Sequence, residues 1–205
     1  KISAIAATFG PGLIGGLIVG SSFAKGLSMS KNIKLIPINH LQAHLLSPRL
    51  VSKIKFPSLC LLVSGGNTAL VLVKNPKNFI TLGSTIDDSA GECFDKVAKG
   101  LGLGYPGGPE IERLAIGGNI ERFELPMPLT KKNNCEFSFS GLKTAALNTI
   151  TKNKKTKIFL RDFSASFQHT VFKVLEIKIL NSIKLLQKEN IKINDFSICG
   201  GVAAN

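Results

Sequence analysis

The chain has 205 residues, room for one large domain or two small ones, and it can bury a core without disulfide staples. With 44% hydrophobic residues, 19% charged residues and a mean hydropathy of +0.21, it is neither a disordered chain nor a disulfide scaffold. Lys and Arg outnumber Asp and Glu by 26 to 13, and the net charge of +13 favours contact with a polyanion such as nucleic acid, although plentiful Lys, Asn and Ile also mark proteins of AT-rich genomes.

No charged residue falls between Ile2 and Ala24, a run long enough to span a bilayer. Pro11 and the glycines Gly10, Gly12, Gly15, Gly16 and Gly20 argue instead for a buried strand (2–8), a Gly-Pro turn and a buried Gly-rich helix (13–29). The run lacks the basic n-region of a signal peptide. The first strand is already under way at Lys1, so the chain reads as a piece that lacks its true N-terminus. It also stops within a presumed helix start at Val202. A strand at 33–38 leads to a short helix beginning near His40. Strands Leu59–Val63 and Ala69–Val73 flank a glycine-containing loop that fits a hairpin. A helix is predicted over 89–102, then a rigid turn Tyr105-Pro106-Gly107-Gly108-Pro109 and a helix near 110–117. The stretch 120–140 has no long period. A basic loop, Thr151 to Lys157, precedes a long amphipathic helix that carries Phe163, Phe167, Val171, Val174 and Leu175 at helical spacing. Strand Phe196–Cys199 runs into Gly200-Gly201. The pattern is mixed α/β.

Cys60, Cys93, Cys135 and Cys199 form no C-x-x-C pair, which gives no Cys-based zinc site and suggests a reducing compartment. Two junctions, Leu62-Val63-Ser64-Gly65-Gly66 and Cys199-Gly200-Gly201, put glycines where backbone N–H groups can approach a phosphate. His40 and His44, at i and i+4, can reach one metal ion from one helix face, or are ordinary packing histidines. Leu41 replaces the Glu of the zinc-peptidase motif, and His169 reads as a packing residue. Asp87, Asp88, Glu92 and Asp95 crowd a basic chain. Helix-dipole pairing at their own helix suits Asp87 and Asp88, whereas Asp95 lies a turn or more further on.

Seven strings in order carry a resemblance over the whole chain. They are Phe9-Gly-Pro-Gly-Leu-Ile-Gly-Gly-Leu, Asn39-His-Leu-Gln-Ala-His, Leu62-Val-Ser-Gly-Gly and Asp87-Asp-Ser-Ala-Gly-Glu-Cys-Phe-Asp-Lys, then Tyr105-Pro-Gly-Gly-Pro, Phe137-Ser-Phe-Ser-Gly-Leu-Lys-Thr and Gly200-Gly-Val-Ala-Ala-Asn. The sequence resembles the tRNA N6-adenosine threonylcarbamoyltransferase family, formerly called O-sialoglycoprotein endopeptidases. The resemblance implies the central part of a two-lobed actin-like ATPase fold (the sugar-kinase and chaperone-ATPase fold), with ligand in the cleft. It implies transfer of threonylcarbamoyl from threonylcarbamoyl-AMP to N6 of the adenosine beside the anticodon, in tRNAs reading codons that begin with A. By the same resemblance His40 and His44 ligate one divalent iron or zinc ion. Leu62, Val63, Ser64, Gly65 and Gly66 line the substrate site, Asp95 holds the ribose with Gly108 beside it, Glu112 stands where the family usually has Asp, and Asn205 contacts the adenylate. Partners are tRNA, the adenylate, a dimerising paralogue and a small ATPase, in the cytoplasm and without a membrane.

The match departs in places. The family's His-x-Glu-Gly-His carries Gln42 and Ala43 here, and Asn39 and Asn67 replace histidines common in bacterial members. A third metal ligand, an Asp, would lie beyond Asn205. The rival readings are a non-catalytic homologue acting as a binding subunit and an actin-fold ATPase or small-molecule kinase. The peptidase reading has neither general base nor nucleophile triad behind it.

Overall fold

The computed structural model describes residues 2–205. It contains two compact units, one ending at Lys53 and one beginning at Ile54. In the first, β1 (Ala4–Gly10) leads to α1 (Ile14–Lys31) and back to β2 (Lys34–Asn39), parallel to β1 with Ala4 opposite Lys34. The strand, turn and Gly-rich helix fall where the sequence predicts, but the expected burial is not found: β1 has no buried residue, and in α1 only Ala24 is buried while Ile14, Val19 and Phe23 are more than 70% exposed. Asn32, in the left-handed region at φ 50°, ends α1. Asn39 caps α2 (His40–Leu46) by accepting from Gln42 N–H. No helix of the described residues is long and apolar enough to cross a membrane.

The second unit holds a four-stranded sheet, ordered β5-β4-β3-β6. All six residues of β3 (Ser58–Val63) are buried, as befits a central strand, and β4 (Thr68–Asn75) pairs with it antiparallel in the expected hairpin. The edge strand β5 (Asn78–Ser84) is a third strand that the sequence reading lacks. The other edge, β6 (Asp195–Cys199), lies parallel to β3 with Cys199 opposite Leu62. That register sets the Ser64–Asn67 turn and the Gly200-Gly201 turn side by side, at the C-terminal ends of neighbouring parallel strands. In α/β sheets this edge is where ligands bind.

Four helices follow: α3 (Ala90–Leu101), α4 (Gly107–Ala115), α5 (Ser140–Lys152) and α6 (Lys157–Lys188). Ser89 caps α3, and Gly102 ends it in the left-handed region at φ 84°. α4 begins inside the predicted rigid turn: Gly107, Gly108 and Pro109 are its first three residues, where a missing proline N–H costs no helical bond. The predicted basic loop shrinks to 153–156, because Lys152 still belongs to α5 and Lys157 opens α6. Past Gly200 the chain forms a short 3-10 turn, Gly201–Ala204.

Phe163, Phe167, Val171, Val174 and Leu175 are buried along α6, as their spacing predicts. They join Phe94, Phe137 and Phe139 in one core, with Phe94 and Phe167 edge to face at 5.3 Å. Each such side chain contributes about 1.5–3 kcal/mol by leaving water. His169 is half-buried on the same helix. The four cysteines are buried and unpaired, and the β3–β6 pairing brings Cys60 Sγ to 3.4 Å from Cys199 Sγ. The irregular stretch before α5 is held by polar groups of α6. The fully buried Lys178 donates from Nζ to Leu129 O at 2.8 Å, Asn134 Oδ1 at 2.7 Å, Asn134 O at 3.2 Å and Lys132 O at 3.4 Å. Asp162 accepts from Arg122 at 2.7 Å and from Asn119 N–H at 3.2 Å.

Candidate functional site

The second unit carries a cavity of about 310 Å³ beside the two glycine turns. Gly65, Asp95, Gly108, Glu112 and Asn205 line it, with Phe94, Tyr105 and Val202 among the apolar walls. Its walls come together because small residues let backbones meet. A Cβ on Gly91 would stand 2.5 Å from Ser64 O, so only glycine lets α3 seat against the hairpin turn. Ser89 Oγ donates to Gly65 O at 2.7 Å, and Thr68 Oγ1 accepts from Ala90 N–H at 2.9 Å, which fixes that seat. Gly200, at φ +102°, packs onto the Val63 carbonyl. A Cβ on Gly108 would stand 2.8 Å from Asn205 Oδ1.

The sequence-derived site residues divide into three groups. Gly65, Asp95, Gly108, Glu112 and Asn205 share the cavity wall. Leu62 and Val63 are strand residues, each 2% exposed, and lie outside that wall. Ser64 and Gly66 belong to the turn. Ser64 N–H donates to Asn67 O at 2.8 Å and Ser64 Oγ accepts from Asn67 N–H at 3.1 Å, so that amide is already engaged in closing the turn. The amides of Gly65 and Gly66 carry no hydrogen bond to the described residues.

Asp95 accepts from Gly107 N–H at 2.8 Å and so caps α4 from across the turn, with the rest of its carboxylate on the cavity wall. Asn205 donates from Nδ2 to Gln168 Oε1 at 3.0 Å, while its Oδ1 is buried with no partner. An orphan acceptor on a cavity wall is one that a ligand's N–H or O–H can satisfy. Tyr105 is the residue that sequence reasoning passed over. It is the chain's single tyrosine, it lines the cavity, and it is 87% exposed. Its place in a Pro- and Gly-rich turn was the available signal.

The acidic segment behaves differently from its sequence reading. Asp87 does not serve its own helix. It accepts from Phe139 N–H at 2.8 Å, Ser138 Oγ at 2.5 Å and Ser140 Oγ at 2.7 Å, and thereby caps α5. Burial pushes the Asp87 carboxyl up, but the hydrogen bonds from Ser138, Ser140 and Phe139 outweigh it and hold the group below the usual carboxylate range. Asp88 divides its carboxylate between another helix and its own, pairing with Lys143 of α5 at 2.6 Å and with Lys96 of α3 at 3.3 Å. Burial raises its carboxyl and the two ammonium groups bring it below the ordinary value.

In the first unit the rings of His40 and His44 lie 4.6 Å apart between centroids. His40 Nδ1 is 2.9 Å from Pro11 O, so it donates there and leaves Nε2 with its lone pair exposed for a ligand role. His44 is held below the ordinary imidazole range, first by burial and then by His40, which favours the neutral form that ligates metals. Among the described residues no group of three His, Cys, Asp or Glu side chains comes together, so the pair offers two ligands.

Comparison with known proteins bears on this site. The family described as tRNA N6-adenosine threonylcarbamoyltransferase matches residues 1–205. A protein of that name from Wolbachia pipientis wMel is 50% identical over 204 residues, covering 100% of this chain and 61% of its own. Those of Zymomonas mobilis (49% identical, 100% of this chain, 56% of its own) and Rickettsia typhi (51% identical, 92% and 49%) also match. The chain thus spans about three fifths or less of the length of these curated relatives. A solved structure, the activator of the 2-hydroxyisocaproyl-CoA dehydratase from Clostridium difficile with bound ADPNP, is 15% identical, with a TM-score of 0.48 over 91% of this chain and 68% of its own. Matched from first residue to last, with its motif residues gathered on one cavity wall, the chain belongs to the tRNA N6-adenosine threonylcarbamoyltransferase family.

Proposed function

We propose that this chain forms the adenylate-binding part of an acyltransferase that moves threonylcarbamoyl from threonylcarbamoyl-AMP to N6 of the adenosine beside the anticodon, in tRNAs reading codons that begin with A. The observation that carries the reading is the convergence of Gly65, Asp95, Gly108, Glu112 and Asn205, from distant motifs, on one cavity of about 310 Å³. That volume falls at the lower end of small-ligand sites. Within this reading the Asp95 and Glu112 carboxylates accept ribose hydroxyls, Asn205 Oδ1 accepts a donor of the adenylate, and the Gly65 and Gly66 amides face its phosphate. The actin-like two-lobed arrangement and a cytoplasmic location belong to the same proposal.

The chemistry is acyl transfer. The N6 amine attacks the carbonyl carbon of the mixed anhydride, a C–N bond forms, the C–O bond to phosphate breaks, AMP leaves with the electron pair, and the amine loses a proton. AMP is a good leaving group, so holding amine and carbonyl in line supplies much of the acceleration. Backbone donors facing the phosphate stabilise the charge that builds on it.

His40 and His44 fit a divalent iron or zinc ion as two of its ligands: they share one helix face, and the Pro11 carbonyl fixes the ring orientation of His40. A bound ion would supply Lewis-acid chemistry to an oxygen that coordinates it. A dimerising paralogue and a small ATPase complete the proposed assembly.

The test is product analysis with threonylcarbamoyl-AMP and unmodified tRNA. AMP release matched mole for mole by modified adenosine is the expected result. ADP formed from ATP would mark a kinase instead, and adenylate binding without turnover would mark a binding subunit.

A further inference from the structure

Residues 137–161 hold six basic side chains (Lys143, Lys152, Lys154, Lys155, Lys157 and Arg161) and no acidic one. Lys143 and Arg161 are neutralised by Asp88 and Asp162. Lys155 Nζ donates to Gly100 O at 2.7 Å, which fixes loop 153–156 against the last turn of α3, where Lys99 stands next to Gly100. The fold therefore brings a lysine of α3 to the lysines of the α5–α6 junction. Lys99, Lys152, Lys154 and Lys157 are exposed, and none has an ion-pair partner among the described residues.

The like charges repel, and the protein supplies nothing locally to relieve them. The first turn of α6 holds no acidic residue, so the positive end of its dipole adds to the same sign. The position of the cluster is informative as well. α3 runs from Gly91, seated on the substrate turn, to Lys99, about 12 Å at 1.5 Å per residue. A nucleic acid backbone presents phosphates every few ångströms, so an RNA whose reacting base meets the adenylate at the cavity has phosphates at about that distance.

We propose that Lys99, Lys152, Lys154 and Lys157 form a backbone-phosphate contact surface for the tRNA stem next to the base being modified. The inference rests on the functional reading above. The surface positions the RNA without reading its sequence, because ammonium groups on phosphates carry no base information.

The experiment compares the parent chain with a variant in which the four lysines become Gln, Lys155 being kept for its bond to α3. Affinity for unmodified tRNA is measured at 50 and 200 mM salt. Each lost phosphate contact removes about 0.9 from the slope of log K against log salt, so the parent should lose about 100-fold more affinity across that range than the variant. A Lys184→Gln, Lys188→Gln control, altered about 40 Å away along α6, should keep the parent slope. Equal slopes in parent and four-lysine variant would overturn the surface while leaving the functional reading intact. A parent that binds an adenylate analogue but shows no salt-dependent tRNA affinity would remove the functional reading, and the surface with it. Loss of anionic-vesicle binding alone, with tRNA affinity unchanged, would assign the patch to a membrane and overturn the proposal.

Discussion

The histidine pair and the glycine-walled cavity are built on opposite principles. His40 and His44 are neighbours because one helical turn makes them so, and one backbone carbonyl, that of Pro11, orients the first ring. The cavity gathers Gly65, Asp95, Gly108 and Asn205 from segments far apart in sequence, and much of its shape comes from absent side chains. A local site should tolerate changes in the surrounding fold and fail only when its own ligands go. A distributed site should fail wherever any two of its backbones are pushed apart.

The largest effect expected is therefore all or none. The His40→Ala, His44→Ala double variant of the full-length protein should lose its bound metal entirely while its circular dichroism stays that of the parent. Metal analysis showing an unchanged stoichiometry would remove the pair from the metal site. Next is Gly91→Ala, which touches no proposed ligand contact. Its methyl meets the Ser64 carbonyl, so stability should fall by about 1–3 kcal/mol, read from the urea midpoint, and adenylate affinity should fall with it. An affinity like the parent's would mean that the hairpin turn need not touch α3 for binding.

Two aspartates sharpen the contrast within one segment. Asp95→Ala should weaken adenylate-analogue binding by about 1–3 kcal/mol in calorimetry, since its carboxylate faces the cavity as well as Gly107 N–H. Asp87→Ala should leave that affinity alone and cost about 1 kcal/mol of stability, the worth of a helix cap. If both variants bind like the parent, Asp95 is a cap and nothing more. The smallest effect is one of pH. The Asp87 carboxyl titrates below its unfolded value, so its contribution is fully present above about pH 4 and is lost as pH falls through the lower folded value. Acid unfolding of Asp87→Asn should accordingly be less steep below pH 4 than that of the parent.

The same contrast explains how far the sequence could be read. Period and spacing revealed the buried stripe of α6, the β3–β4 hairpin and the histidine pair, all of them patterns within a short window. The strand β5 escaped because Phe79, Ile80 and Leu82 do not alternate cleanly: Ile80 is 38% exposed on an edge strand, so no strong pattern was required of it. The start of α4 was hidden by Gly107, Gly108 and Pro109, which read as a turn until one sees that a helix's first residues need no N–H partner within the helix. The partner of Asp87 lay 52 residues away at Phe139, a distance at which no local rule operates, so dipole pairing with its own helix was the natural but mistaken expectation. Tyr105 was read as part of a turn and not as a wall of the site, because a turn residue's place shows only when the cavity beside it is visible.

Lys178 has a consequence of another kind. Its buried ammonium collects oxygens from Leu129, Lys132 and Asn134, much as a bound cation gathers the carbonyls of an irregular loop. A cation carried on a covalent stem cannot be chelated, diluted or exchanged for a different ion. The order of the stretch leading to Phe137 and Phe139 therefore needs no dissociable cation. Chelator treatment should strip an ion from the histidines without loosening this loop, whereas Lys178→Met should loosen the loop whatever metal is supplied.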